Sequence, residues 1–275
     1  MTLKNISHIR RILSLPGGPT TPSVLPQAII TPSIATLAAN ITLDRAYTWI
    51  CTQREAYSHA NSIWDLRTHT INNELISSWE AIDALVLKAL TLTLPPLFST
   101  KHYSHCTPLK GAGGIHAAIK GVSQHQANYK HLLKSDAYHY YESIDHQVLL
   151  TALKKQVDCK HLVHLVAQYC QRLEVREGNY YHFTSGIPKG CPLSPLMAAL
   201  YLKPLDDEMK KHGFYVRFMD DWVIMVKTKR QLRKVIKLTH KILDSLKLKM
   251  HPDKTFLGCI KKGFDFLGIH FSDNP

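Results

Sequence analysis

The sequence predicts an α+β fold in which an antiparallel sheet is backed by helices, and three observations lead there. First, Tyr215-Val216-Arg217-Phe218-Met219-Asp220-Asp221-Trp222-Val223-Ile224-Met225-Val226 holds two strand-like runs around an Asp pair. Val216, Phe218, Trp222, Ile224 and Val226 are its apolar beads, so it reads as a β-hairpin with the Asp pair at the turn. Second, the apolar run that ends at Asp136 reads as a buried strand delivering a carboxylate at its end. Third, the intervening segments carry helical periodicity and helix-start signals.

Alone, the Asp pair reads equally as a polar hairpin tip, because Asp side chains hydrogen-bond nearby backbone in turns. The chemical reading is that two close carboxylates need a cation between them. Without one they repel, and one is driven to take up a proton. Oxygen ligands suit a hard divalent ion such as Mg²⁺ or Mn²⁺. A third carboxylate and a substrate pocket decide between the readings.

Composition narrows the partner. The 275 residues suffice for one large domain or two modest ones, and 45% are apolar, as in ordinary globular chains. Lys and Arg number 34 against 21 Asp and Glu, a net charge of +13. Such an excess calls for a polyanion, either nucleic acid or an anionic membrane surface, although a solvated basic surface satisfies the charge count equally. No run of about 18 apolar residues spans a bilayer, which favours nucleic acid and a cytoplasmic protein without a membrane partner. Cys51, Cys106, Cys159, Cys170, Cys191 and Cys259 form no Cys-x-x-Cys pair and read as reduced thiols. His102, His105 and Cys106 lack a second ligand pair at zinc-finger spacing and are read as non-ligands.

Taken in order, residues 1–43 read as a flexible leader rich in Pro, Thr, Ser and Ala, with a poor signal-peptide pattern. Aromatics and charges from Leu43 to Thr68 follow helix-like spacing, and Asn73 to Leu94 reads as a clearer helix that Pro95-Pro96 ends. Leu109 to His116 is glycine-rich and basic and runs on to Lys120. It could offer N–H groups and a Lys to phosphates, reads equally as a plain turn, and lacks full P-loop spacing. Asp145 reads as the cap of a helix from His146, and Lys160 to Cys170 as a second helix. A hairpin is expected around Arg176 to Asn179. Ser185 to Leu196 is a rigid Gly/Pro loop in which Ser194 caps, and Pro195 opens, a helix to about Lys211. Lys229 to Leu246 reads as a basic amphipathic helix, and Phe256 to Ile260 with Phe264 to Phe271 as a closing hairpin.

These blocks carry a resemblance. Asp136 to His146, Gly186-Ile187-Pro188-Lys189-Gly190 through Ser194-Pro195, Phe218-Met219-Asp220-Asp221, Pro252-Asp253-Lys254 and Gly263-Phe264-Asp265-Phe266-Leu267-Gly268 follow one another as in reverse transcriptases of bacterial retroelements. The chain resembles the group II intron and retron enzymes, strongly over residues 130–271 and weakly before. The resemblance implies a right-hand polymerase: fingers over 44–130, a palm over 131–271 and a tail at 272–275. It implies RNA-directed DNA polymerisation, adding dNTPs to a DNA or RNA primer on an RNA template with two Mg²⁺ (or Mn²⁺) ions. Asp136 and Asp220 would bridge the metals, Ala137 would lend its carbonyl, and Asp221 would support the primer-side ion. Tyr141 would sit beneath the incoming sugar and clash with a 2′-hydroxyl. Pro188, Lys189 and Gly190 would carry the nascent base pair, and Lys254 would protonate the leaving pyrophosphate, an exposed turn lysine being nearly as good a reading. Leu267 and Gly268 would grip the primer, and Lys110 or Lys120 would hold the triphosphate.

Three departures stand out. Lys189 occupies a position where the family usually has Gln, the Gly113-Gly114 region lacks the usual Arg-Pro-Leu signature, and the chain stops at Pro275 without room for a thumb. Low processivity is therefore expected, the chain being either truncated or dependent on a partner for the thumb. Two other readings stay open at this point: a non-catalytic maturase-like RNA-binding module, and a template-independent or defence-linked DNA polymerase. An RNA-dependent RNA polymerase would share the palm, but Tyr141 disfavours it.

Overall fold

Leu66, Thr68 and Thr70 alternate with the polar Asp65, Arg67 and His69 in the first described segment, and that pattern forms strands rather than the helix expected from spacing in a longer window. β1 (Asp65–Ile71) pairs antiparallel with β2 (Glu74–Trp79), Leu66 opposite Trp79 and Ile71 opposite Glu74. Both the helix-like reading up to Thr68 and the helix from Asn73 are thereby corrected at these residues, because cross-strand pairing overrides the local period. Helix does occur further on, at Leu87, Leu90 and Thr91, and Leu87, Leu90 and Leu94 are fully buried. The computed structural model describes residues 65–71, 74–79, 87, 90–91, 94–95, 113–176 and 179–272. The leader over 1–43, Lys110, Cys51, Cys106, His102 and His105 lie outside the described residues.

The described elements continue with α1 (Gly114–His125), β3 (His131–Asp136) and a one-turn helix α2 (Tyr140–Ser143). Next come α3 (His146–Lys154), α4 (Lys160–Cys170) and the hairpin β4 (Leu173–Arg176) and β5 (Asn179–His182). Helices α5 (Ser194–Tyr201) and α6 (Lys203–Met209) precede the Asp–Asp hairpin of β6 (Phe214–Phe218) and β7 (Asp221–Val226). The chain closes with α7 (Lys229–Ser245), β8 (Phe256–Cys259), β9 (Phe264–Phe266) and β10 (Ile269–Phe271).

Several helix ends follow directly from local chemistry. Asp145 caps α3 as expected, its carboxylate accepting the Val148 N–H at 2.9 Å. α7 begins in a capping box, where Thr228 Oγ1 accepts from Gln231 N while Gln231 Oε1 accepts from Thr228 N. The single helix expected over 195–211 is instead two, broken at Leu202. Pro204 lacks an N–H, and its ring would collide with the carbonyl four residues back, so α6 restarts with Pro204 in its first turn. Ser194 does not cap α5. Its hydroxyl donates to the Pro188 carbonyl at 2.6 Å and shares a hydrogen bond with the Tyr169 hydroxyl at 2.5 Å.

One sheet has the order β6-β7-β3-β8, all antiparallel, and a second the order β2-β1-β4-β5, with β1 and β4 parallel. The expected pairing of 256–260 with 264–271 is corrected. β8 adds to β3, with Lys134 opposite Phe256, and β9 folds back on β10 as its own hairpin. Both faces of the β3 sheet are covered. Leu133, Trp222, Ile224 and Val226 join the core built with α3 to α7, while Leu132, Val216, Val223 and Met225 meet α1 and the aromatics Phe264, Phe266 and Phe271. That two-sided burial explains why β7 reads as a continuous apolar run instead of a polar–apolar alternation. Helix α1 falls within the 44–130 segment expected as fingers, yet it packs on β6.

Candidate active site

Register brings the carboxylates together. Asp136 ends β3 directly opposite Asp221, the first residue of β7, and Asp221 is paired across the hairpin with Phe218. Met219 and Asp220 form the two-residue turn between. Met219 sits at φ 57°, in the left-handed region that a side chain other than glycine's enters at a cost. The turn is anchored from behind by a buried ion pair. Arg217 donates from Nε to Asp206 Oδ1 at 2.7 Å, from Nη2 to Asp206 Oδ2 at 2.5 Å, and from Nη1 to the Met219 carbonyl at 2.6 Å. Tyr215 donates its hydroxyl to Asp206 Oδ1 at 2.7 Å. Arg217 and Asp206 were not singled out in the sequence. The signal was an arginine inside an apolar strand, which needs a buried acid, with Asp206-Asp207 just upstream.

The electrostatics of the cluster are unfavourable to charge. Burial first, and then Asp136, push the Asp220 carboxyl up to about 6. Burial likewise raises Asp221. Two lysines offset part of this. Lys254 Nζ donates to Asp136 Oδ2 at 2.7 Å and is itself raised, chiefly by that bond. Lys134 Nζ lies 3.5 Å from Asp221 Oδ1, an ion pair too long to be a good hydrogen bond. Asp221 Oδ1 is buried and has no hydrogen-bond partner. Among the described residues no three His, Cys, Asp or Glu side chains converge closely enough to form a finished ligand cage.

The other expected site residues divide into those that meet here and those that do not. Ala137 is buried and bridges Met250, but the bridge uses the carbonyls of Asp136 and Lys249, so the Ala137 carbonyl takes no part in it. Tyr141 is partly buried in α2. Burial first and then Asp220 push its hydroxyl up to about 12. Tyr140 is core and donates its hydroxyl to the Ala198 carbonyl at 2.5 Å from the helical turn. The Gly/Pro loop is fastened to the same turn. Ile187 N donates to the Tyr141 carbonyl at 2.8 Å and Gly186 N to that of Ile144 at 2.7 Å. Gly186 has φ 80°, and a Cβ there would lie 2.9 Å from the Glu142 carbonyl oxygen, so only glycine fits. Pro188 is buried, Gly190 adopts φ 87°, and Lys189 pairs with Glu142 at 3.2 Å. Leu267 and Gly268, at φ 51° and 77°, make the two-residue turn of the β9–β10 hairpin. Lys120 is exposed on α1, and no hydrogen bond or ion pair among the described residues joins it to the carboxylates.

Comparison with known proteins adds the family. Residues 70–271 match the family model for reverse transcriptase (RNA-dependent DNA polymerase). Protein YkfC of Escherichia coli (strain K12) is 21% identical over 227 residues, covering 68% of this chain and 60% of YkfC. The group II intron-encoded protein LtrA of Lactococcus lactis subsp. cremoris is 22% identical over 124 residues, 45% of this chain and 21% of LtrA. The chain thus spans less than two thirds of either relative. Among solved structures, a telomerase from Candida albicans, in complex with a fragment of telomeric RNA, superposes with a TM-score of 0.61 at 12% identity. It covers 82% of this chain and 48% of that one, a likeness of fold. No helix among the described residues is long and apolar enough to cross a membrane. With a family model matched over residues 70–271, the chain belongs to the reverse transcriptase (RNA-dependent DNA polymerase) family.

Proposed function

We propose that the chain is an RNA-directed DNA polymerase, with residues 131–271 as its palm, residues 44–130 as its fingers, and Asp136, Asp220 and Asp221 as the metal-binding carboxylates. The observation that carries this reading is that the strand register sets Asp136 opposite Asp221 and leaves Asp220 near enough for both to raise it. Asp220 is driven up to about 6, and Asp221 keeps a buried oxygen without a hydrogen bond. Such a set fits a hard divalent cation, which would remove the repulsion and complete the orphaned oxygen. Mg²⁺ or Mn²⁺, held by these acids and the Ala137 carbonyl, would supply charge stabilisation for nucleotidyl transfer.

The chain's own residues do the remaining work. Arg217 holds the Met219 carbonyl and so fixes where Asp220 points. Lys254, exposed and bonded to Asp136, would deliver a proton to a departing pyrophosphate beside the acids. Tyr141, near enough to Asp220 to feel its charge and with its carbonyl accepting from Ile187 of the Gly/Pro loop, would bar a 2′-hydroxyl and favour deoxynucleotides. Pro188, Lys189 and Gly190 would carry the nascent base pair, Leu267 and Gly268 the primer end, and Lys110 or Lys120 the triphosphate. RNA template, a DNA or RNA primer and dNTPs are then the partners.

Primer extension tests this. Purified protein is given Mg²⁺ or Mn²⁺, dNTPs, and an RNA template annealed to a DNA primer, beside an Asp220→Asn/Asp221→Asn variant. Extension by the wild type alone is expected. Equal binding of template–primer by both proteins with extension by neither would sink the polymerase reading in favour of an RNA-binding module.

A further inference from the structure

Helix α7 carries a charge pattern that works against the helix itself. Lys229, Arg230, Arg233, Lys234, Lys237 and Lys241 are all exposed, and at 3.6 residues per turn they fall within roughly 140° of one face. Like charges stand four residues apart at Lys229/Arg233, Arg230/Lys234, Arg233/Lys237 and Lys237/Lys241, a spacing that destabilises a helix. No acid occupies the first turn, so the N-terminal cations also oppose the helix dipole. None of the six forms an ion pair with any described residue, whereas Lys203, Lys210, Lys211 and Lys247 each have a carboxylate partner. Within the described fold these six cations stay unpaired, and the one acid on the helix, Asp244, lies on the same face only in its last turn.

Its position separates it from the carboxylates. The other face of α7 is committed to the core through Val235, Thr239 and Leu243, against the sheet face of Leu133 and Ile224. Strand alternation puts Lys134 and Asp136 on the opposite side of β3 from Leu133. Since the apolar face of α7 is already buried, nothing remains to insert into a lipid surface, and the stripe matches a polyanion held by charge alone.

We propose that the cationic face of α7 docks template RNA outside the catalytic groove, on the far side of the sheet from Asp136 and Asp221. The helix is about 25 Å long, enough to follow several successive phosphates. RNA is the occupant because the reaction proposed above copies an RNA template, the longest polyanion that reaction requires, and the stripe offers charge alone. That choice rests on the function proposed above, while the docking itself is measurable without catalysis.

The test uses the full chain without metal or nucleotides. Binding of a fluorescent RNA hairpin is titrated at several salt concentrations for wild type, for Arg233→Gln/Lys234→Gln/Lys237→Gln, and for a control set on other exposed lysines, Lys154→Gln/Lys155→Gln/Lys160→Gln. Gln is nearly as good a helix former as Lys or Arg. The α7 variant is expected to lower the slope of log K against log salt by roughly 2 to 3, at about 0.7–0.9 for each phosphate no longer neutralised, while the control keeps the wild-type slope. Without RNA, the α7 variant should unfold at a higher temperature than wild type, because its like-charge pairs are relieved. A wild-type slope in the α7 variant, or an equal loss in the control, would overturn the proposal. So would a larger α7-dependent slope for a DNA hairpin of the same sequence, or α7-dependent binding to phosphatidylserine vesicles with none to RNA. Failure of primer extension with the α7 slope intact would sink the polymerase reading and leave the docking surface standing.

Discussion

Replacing Asp220 by Asn measures how far the carboxylate cluster is held short of positive charge. The Asp220 carboxyl lies at about 6 against an ordinary 3.8, first because it is buried and then because Asp136 is close. At about 1.4 kcal/mol per pH unit, keeping it ionised at neutral pH costs the fold about 3 kcal/mol when no cation is bound. Between pH 3.8 and about 6 the folded chain holds a proton that the unfolded chain has released. Stability therefore falls as pH rises through that window and, for this group, levels off above it. In EDTA at neutral pH, Asp220→Asn should thus be more stable than wild type, by a few degrees in Tm. Its Tm should also lack the decline that wild type shows on going from acid to neutral pH. Adding Mg²⁺ or Mn²⁺ should raise the wild-type Tm and leave the variant nearly unmoved. Thermal unfolding followed by circular dichroism, at several pH values with and without metal, reads all of this. An Asn variant less stable than wild type at neutral pH in EDTA would refute the reasoning, because it would mean that the charge is already compensated inside the fold.

Three further outcomes follow from the same geometry. Arg217→Met leaves Asp206, 1% exposed, as an uncompensated buried charge and should cost about 3–5 kcal/mol in urea unfolding, whereas Arg217→Met/Asp206→Leu should recover most of it. The recovered double variant should still extend primers poorly, because the Met219 carbonyl has lost its donor. Burial lowers the His146 pKa below 6.5, so His146 favours the fold in its neutral form, and its contribution is lost as pH falls through that value. In an Asp220→Asn background, which removes the opposing trend, His146→Asn should flatten the acid side of the Tm profile. Gly186→Ala, forced to φ 80° with its Cβ 2.9 Å from the Glu142 carbonyl oxygen, should cost on the order of 1–3 kcal/mol in urea unfolding.

Elements governed by neighbours in the chain were legible in the sequence. The strand ending at Asp136, the Asp–Asp hairpin, the Asp145 cap, the hairpin joining Arg176 to Asn179 and the basic helix from Lys229 all depend on local period, caps and turns. What escaped was set at a distance. β1 and β2 are strands because they pair with each other and with β4, not because their own period excludes helix. β8 pairs with β3, more than a hundred residues earlier, although β9 and β10 were the nearer partners. Ser194 looked like a cap until Pro188 and Tyr169 took its hydroxyl. The break at Pro204 was local and could have been read, since proline inside a helical period is itself the stop signal. Of the candidate site, the three acids were readable by their blocks. Arg217 was signalled as an arginine inside an apolar strand, but which acid it and Lys134 meet shows only in the folded register.

The features that local preference would reject fall on one short run. Arg217 is a buried guanidinium in a strand, Met219 takes a backbone conformation suited to glycine, the Asp220 carboxyl is pushed up to about 6, and Asp221 keeps a buried oxygen without a hydrogen bond, its nearest cation Lys134 standing 3.5 Å away. A hairpin built only for stability would carry Asn or Gly at 219 and a neutral residue at 220, removing both the backbone strain and the repulsion. The surrounding sheet, covered on both faces, is what makes such a turn tolerable. Arg217 links the two scales: its bond to Asp206 belongs to the core, and its bond to the Met219 carbonyl belongs to the turn. The strain is thus held by the same side chain that aims the acids. That coupling is what the metal-binding role proposed for these acids would require, since an ordinary hairpin tip has no need of a core ion pair to hold its carbonyl in place.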